Sequence, residues 1–148
     1  DMKRVFLDAN VLFTAAHNPA GKAALLFELA DLGCWSLISS RLACEEARRN
    51  VLIKFPASLV RLEELIKSVT HVPQTVHATC PLDLPDKDKP IFLAAVQGVA
   101  SHLLTGDKAH FGPFMNKAAE TQGMVIQTVS DFLLAALKEE GGPKAERF

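Results

Sequence analysis

No run of about 18 apolar residues occurs in the chain, so a transmembrane helix is not expected. Only three cysteines are present, Cys34, Cys44 and Cys80. Their number is odd and no two stand as C-x-x-C, which suggests neither a disulfide framework nor a zinc site. A reducing cytoplasm is the compartment expected of such a chain. The five histidines are scattered and none falls in H-E-x-x-H. There is no P-loop, no G-x-G-x-x-G and no G-x-S-x-G. Nucleotide binding through a glycine loop and an α/β-hydrolase nucleophile therefore lack support. Excess positive charge is missing too: the net charge is −1, where nucleic-acid binders are usually basic. That counts only mildly, because an acidic metal site subtracts several charges and basic residues gather locally at Arg41, Arg48, Arg49 and Lys54.

What is present is ordinary globular composition, 49% apolar and 22% charged over 148 residues. That length suits one domain, expected over residues 2–140, with a polar, mobile tail over 141–148 that begins at Gly141-Gly142-Pro143. The opening run Arg4-Val5-Phe6-Leu7 reads as a buried strand ended by Asp8, not as a signal peptide. Helices are expected over Asn10 to Ala16 and Pro19 to Leu32, the second opened by Pro19 and stopped before Gly33. Cys34 to Ile38 reads as a strand. Ser39 or Ser40 then caps a helix to about Lys54, and Pro56 blocks its continuation. Ser58 to Val69 carries an apolar face at helical spacing. Thr70 to Val72 reads as a short strand, and Pro73 to Lys89 as a loop. Helix Pro90 to Val99, strand His102 to Thr105, a mostly helical Phe111 to Gln122, strand Met124 to Gln127 and a helix capped by Thr128 or Ser130 complete the chain, this last ending near Glu140. Short strands apolar on both faces, alternating with helices, predict a three-layer α/β/α sandwich around a mainly parallel sheet of about five strands.

Sites in open parallel sheets form beyond the carboxyl ends of strands, where strand order reverses. Asp8 follows the first strand, and Asp107 follows His102–Thr105 across Gly106. If those strands are neighbours, the two carboxylates meet at one cleft; the competing role for each is a helix cap. Asp88, just before the helix at Pro90, has the same competing role, and a carboxylate has oxygens enough for both. Asp83 and Asp86 lie further into the loop. On the helix from Ser40, Glu45 has Arg41 and Arg49 four residues to either side and suits surface ion pairs. Glu46 shares a stripe with Leu42 and Ile53, where a carboxylate needs a reason, and is preferred as the inward acid.

These residues together resemble the PIN-domain family. Val5-Phe6-Leu7-Asp8-Ala9-Asn10-Val11-Leu12 looks like its opening strand and first acid. Ser40 through Glu46 resembles its second motif, a helix with an inward Glu. Asp88 to Ala95, followed by Leu104-Thr105-Gly106-Asp107-Lys108, is similar to the third and fourth. The L-x-T-G-D run fits the subfamily of toxin components of toxin–antitoxin pairs. The resemblance spans nearly the whole chain; the tandem acid at Glu45 and Thr105, where some relatives carry another acid, depart from it.

The resemblance implies a metal-dependent endoribonuclease, with Asp8, Glu46, Asp88 and Asp107 as direct or water-mediated ligands. Single-stranded RNA is the expected substrate, because a flexible strand can bend into clustered carboxylates where a duplex cannot. Clustered carboxylates repel one another unless a cation neutralises them, and all-oxygen ligands suit Mg²⁺ or Mn²⁺. Asn10 either orients Asp8 or caps a helix. Thr105 either hydrogen-bonds water or phosphate at the metal or is simply a β-branched strand residue. Arg48, Arg49, Lys89 and Lys108 are candidate phosphate contacts, and His110 a further one. Phe111, Phe114 and Trp35 suit base stacking less well than core packing. An antitoxin partner and a homodimer are further implications. The alternatives are a PIN-like binding module without catalysis and a structure-specific DNA nuclease, whose known forms are longer. An aspartyl-phosphate phosphatase would need a second Asp where Asn10 stands.

Overall fold

A computed structural model describes residues 2–73 and 79–145. Five parallel strands form one sheet: β1 (Arg4–Leu7), β2 (Ser36–Ser40), β3 (Thr70–Val72), β4 (His102–Leu104) and β5 (Val125–Gln127), in the order β3-β2-β1-β4-β5. Val5, Phe6 and Leu7 of central β1 are fully buried, whereas edge strand β3 is largely exposed. That gradient is what a sheet covered on both faces produces. The chain steps from β1 to β2 to β3, then returns past β1 to β4 and β5, so strand order reverses between β1 and β4. Val5 pairs with His102 and Leu7 with Leu104 across this junction.

The helices follow the expected order with shifted ends. They are α1 (Ala9–His17), α2 (Lys22–Asp31), α3 (Arg41–Lys54), α4 (Leu59–Lys67), α5 (Lys89–Gln97), a single turn α6 (Lys108–Phe111) and α7 (Val129–Ala145). Helix α1 packs on α2, α3 and α4, while α5 crosses β2, β3 and β4. Right-handed crossovers place these two groups on opposite faces, giving the three layers. Ser40, not Ser39, caps α3: its hydroxyl accepts from Ala43 N–H at 3.2 Å. The Ser39 hydroxyl donates to Leu7 C=O at 2.8 Å and fastens β2 to β1. Thr128 caps α7 by accepting from Asp131 N–H at 3.1 Å.

Three expectations are corrected. Helix α2 starts at Lys22 because Pro19 and Ala20 form a turn before its cap, Gly21. Strand β2 begins at Ser36, two residues after Cys34, because Gly33 (φ 87°) first turns the chain out of α2. Phe111 to Gln122 is not one helix. After α6 come 3₁₀ turns at Gly112–Phe114 and Ala118–Glu120. Pro113 cannot continue the hydrogen-bond ladder, and Asn116 takes a left-handed conformation (φ 59°) as Met115 bridges to Ile126 at the sheet edge. Residues 74–78 of the expected loop lie outside the described residues. Helix α7 runs past the expected end at Glu140 as far as Ala145, and the last three residues are again outside the description.

Candidate metal centre

Asp8 ends β1 and starts α1, and only 5% of it is exposed. Its Oδ1 accepts from Ala9 N–H at 2.7 Å, and its Oδ2 accepts from the Thr105 hydroxyl at 2.8 Å. Burial raises its pKa from the ordinary 3.8 to about 6, and the carboxylates of Glu46 and Asp88 add to the rise. The bonds from Thr105 and Ala9 work the other way but do not offset burial. An acid held this way gains from a neighbouring positive charge.

Asn10 links the two strand ends. Its Oδ1 accepts from Gly106 N–H at 2.7 Å, and its Nδ2 donates to Thr105 Oγ1 at 3.2 Å and, more weakly, to Asp8 Oδ2 at 3.4 Å. Thr105 is fully buried, and its oxygen also accepts from Asp107 N–H at 3.1 Å. Asp8, Asn10, Thr105 and Asp107 therefore form one hydrogen-bonded unit across the β1–β4 junction, where the ends of two neighbouring strands make the arrangement possible.

Asp107 caps α6 through Oδ1, which accepts from His110 N–H at 3.1 Å. Asp88 occupies the cap position of α5 but makes no side-chain capping bond there. Its Oδ2 is instead buried 2.8 Å from His110 Nδ1, which lies equally far from Asp107 Oδ2. Neither contact has hydrogen-bond direction, and both Asp88 Oδ2 and His110 Nδ1 remain without a hydrogen-bond partner. The three donor atoms lie within 4.8 Å of one another, a grouping able to hold a metal ion.

A cleft of about 920 Å³ gathers Asp8, Glu46, Asp88 and Asp107. Glu46 is half-buried on α3 and lines it; Glu45 does not, and pairs with Arg41 at 2.8 Å. Orphaned Asp88 Oδ2, the raised pKa of Asp8 and the convergence of four carboxylates fit a divalent cation, with oxygen the main donor type.

The basic candidates divide. Lys108 lines the cleft. Arg48 is held by Glu63 through two bonds of 2.7 and 3.0 Å, Lys89 by Asp86 at 3.0 Å, and Arg49 is exposed; none of these three lines it. Lys22 and Lys87, passed over in the sequence, do line it, with Thr128 to Asp131 at the start of α7. Lys22 Nζ donates to Ser130 Oγ at 3.3 Å. The spacing of His110, three residues after a capping Asp, was a usable signal for its place beside Asp107; nothing local marked Lys22. Phe111 and Trp35 are buried in the core, with Trp35 Nε1 donating to Leu26 C=O at 3.1 Å, and Phe114 packs against the core partly buried.

No protein-family model and no curated protein matches the sequence. Among solved structures, the chain is similar to one in the crystal structure of VapBC2 from Rickettsia felis bound to a DNA fragment from their promoter. The TM-score is 0.60 at 14% identity, over 84% of this chain and 98% of that one. The likeness establishes the PIN-like fold that the motifs resemble. The cleft lies in that fold at the β1–β4 junction.

Proposed function

We propose that the chain is a metal-dependent endoribonuclease that hydrolyses phosphodiester bonds of single-stranded RNA, with residues 2–140 as the nuclease domain and 141–148 as a tail. The observation that carries this is the meeting of Asp8 and Asp107, at the ends of adjacent strands, with Asp88 and Glu46 in one cleft. In this reading these four acids hold Mg²⁺ or Mn²⁺. Such an ion activates water and stabilises the charge that develops on the scissile phosphate. The chain's own groups do the positioning. Thr105 and Asn10 fix the direction of Asp8, so its carboxylate is preorganised rather than recruited. Lys22, Lys87 and Lys108 offer positive charge along the cleft for neighbouring phosphates.

VapBC2, one chain of which shares this fold, was captured on promoter DNA. By that likeness we read the chain as the toxin of a toxin–antitoxin pair, working as a homodimer in the cytoplasm and held in check by an antitoxin protein. Among the described residues no helix is long and apolar enough to cross a membrane. The decisive experiment is cleavage of a mixed RNA pool, with and without Mg²⁺ or Mn²⁺, by the wild type and Asp8→Asn. Metal-dependent cutting by the wild type alone is expected. A folded wild type that binds metal but never cuts RNA would make the chain a binding module.

A further inference from the structure

Four acids account for an all-oxygen site, but they leave His110 unexplained. Its backbone N–H is tied to Asp107 Oδ1, which sets the ring over the cluster. Its Nδ1 lies 2.8 Å from one oxygen of Asp88 and 2.8 Å from one oxygen of Asp107, aligned for a hydrogen bond with neither. The Asp88 side chain is only 9% exposed, and its Oδ2 has no hydrogen bond to offset its burial. Two carboxylate oxygens and a ring nitrogen stand at this spacing with no hydrogen bond aligned between them. Neighbouring ligands in an octahedral shell with bonds of about 2.1 Å stand roughly 3 Å apart, which is close to the spacing seen here.

We propose that His110 Nδ1 is a nitrogen ligand to the cation held by Asp88 and Asp107, and that it biases this site toward a first-row transition ion such as Mn²⁺ over Mg²⁺. Imidazole suits transition ions, whereas Mg²⁺ takes oxygen donors and tolerates little departure from its own geometry. The ring side chain is 34% exposed, whereas Asp88 and Asp107, the acids it faces, line the cleft. The inference rests on the metal site proposed above and assigns it one more donor.

Mn²⁺ binding to the full chain should be measured by the electron paramagnetic resonance of free and bound ion, with Mg²⁺ as competitor. Bound Mn²⁺ should be probed for coupling to a ¹⁴N nucleus by electron spin-echo modulation. The wild type should show ¹⁴N coupling and bind Mn²⁺ at least tenfold more tightly than Mg²⁺. His110→Ala should lose the coupling and about tenfold or more in Mn²⁺ affinity, with a smaller loss for Mg²⁺. Lys108→Ala, a neighbour on the same turn, should keep the coupling. Bound Mn²⁺ without ¹⁴N coupling in the wild type overturns the ligand role and leaves the four-acid site standing, whether or not the variant folds. Tighter Mn²⁺ binding by His110→Ala also overturns it, since the ring would then be occupying the ion's place. No Mn²⁺ or Mg²⁺ binding at all overturns both this inference and the site beneath it.

Discussion

At the scale of single residues, burial of Asp8 links the stability of the fold to pH. Between about pH 4 and about pH 6 the folded chain keeps a proton on Asp8 that the unfolded chain has released. At this group the folded state then binds more protons, so the contribution of Asp8 to the stability of the metal-free protein falls as pH rises through that window. Above it, ionised Asp8 costs on the order of 3 kcal/mol, each pKa unit being about 1.4 kcal/mol. Urea unfolding in the presence of a chelator should show this slope, and Asp8→Asn should flatten it. A slope unchanged in the variant would assign the pH response to another group. Saturating Mn²⁺ should reverse the trend, because the ion binds the carboxylate form; at 100 times its dissociation constant it adds about 2.7 kcal/mol at neutral pH. A second contrast concerns the tandem acids. Glu46→Gln should lower both Mn²⁺ affinity and RNA cleavage at least tenfold. Glu45→Gln should lose only its exposed pair with Arg41, worth about 0.3–0.5 kcal/mol. The reverse ranking, in binding and in turnover, would move the ligand role to Glu45.

At the scale of elements, the site depends on how tightly α5 is set against the sheet, because α5 carries Asp88 at its start. Gly98 ends this helix, and a Cβ there would sit 2.7 Å from Val72 Cγ1 and 3.0 Å from Ile38 Cδ1. Val72 is β-branched and stiff, so the helix end must lift or β3 must shift. Gly98→Ala should therefore destabilise the fold by about 1–3 kcal/mol, read as a lower urea midpoint with an unchanged m-value. A midpoint equal to the wild type would mean the α5–β3 contact is looser than these distances imply. The strands and most helices were legible in the sequence because each buries a run whose periodicity or apolar character is local. The segment after Asp107 was not. Lys117-Ala118-Ala119-Glu120 favours helix, but pairing of Met115 with Ile126 is a tertiary contact that local pattern does not encode. Glu46 was picked out for a reason the fold does not support. Leu42 is 38% and Ile53 78% exposed, so no buried stripe joins them. Glu46 lies instead beside buried Ala43 and Ala47 on the inner edge of α3. Lys22 and Lys87 were invisible because the cleft unites α2 with the loop before α5, which only the strand order brings together.

At the scale of the whole molecule, the net charge of −1 gives no general attraction for a polyanion, so substrate capture must depend on the cleft. Its cations are Lys22, Lys87 and Lys108. Three phosphate contacts on a single strand give a salt slope of about 2, at roughly 0.7 for each. All three lysines are exposed, and Lys22 also donates to Ser130. Lys87→Ala and Lys108→Ala should each raise KM for single-stranded RNA with little change in kcat, and each should reduce the salt slope by about 0.7. Arg48→Ala should leave the slope as it is, because Glu63 already holds that guanidinium in a two-bond pair. Duplex RNA of the same sequence should be cut poorly: Asp8 and Asp88 are both more than nine-tenths buried, and a stiff double strand cannot lower one phosphate to them. Cleavage of matched single-stranded and duplex RNA across a salt series, with these three variants, tests all of it. Equal cleavage of both forms, or a slope that drops with Arg48→Ala and not with Lys108→Ala, would place the RNA along α3 and α4 instead of through the cleft, while leaving the metal chemistry untouched.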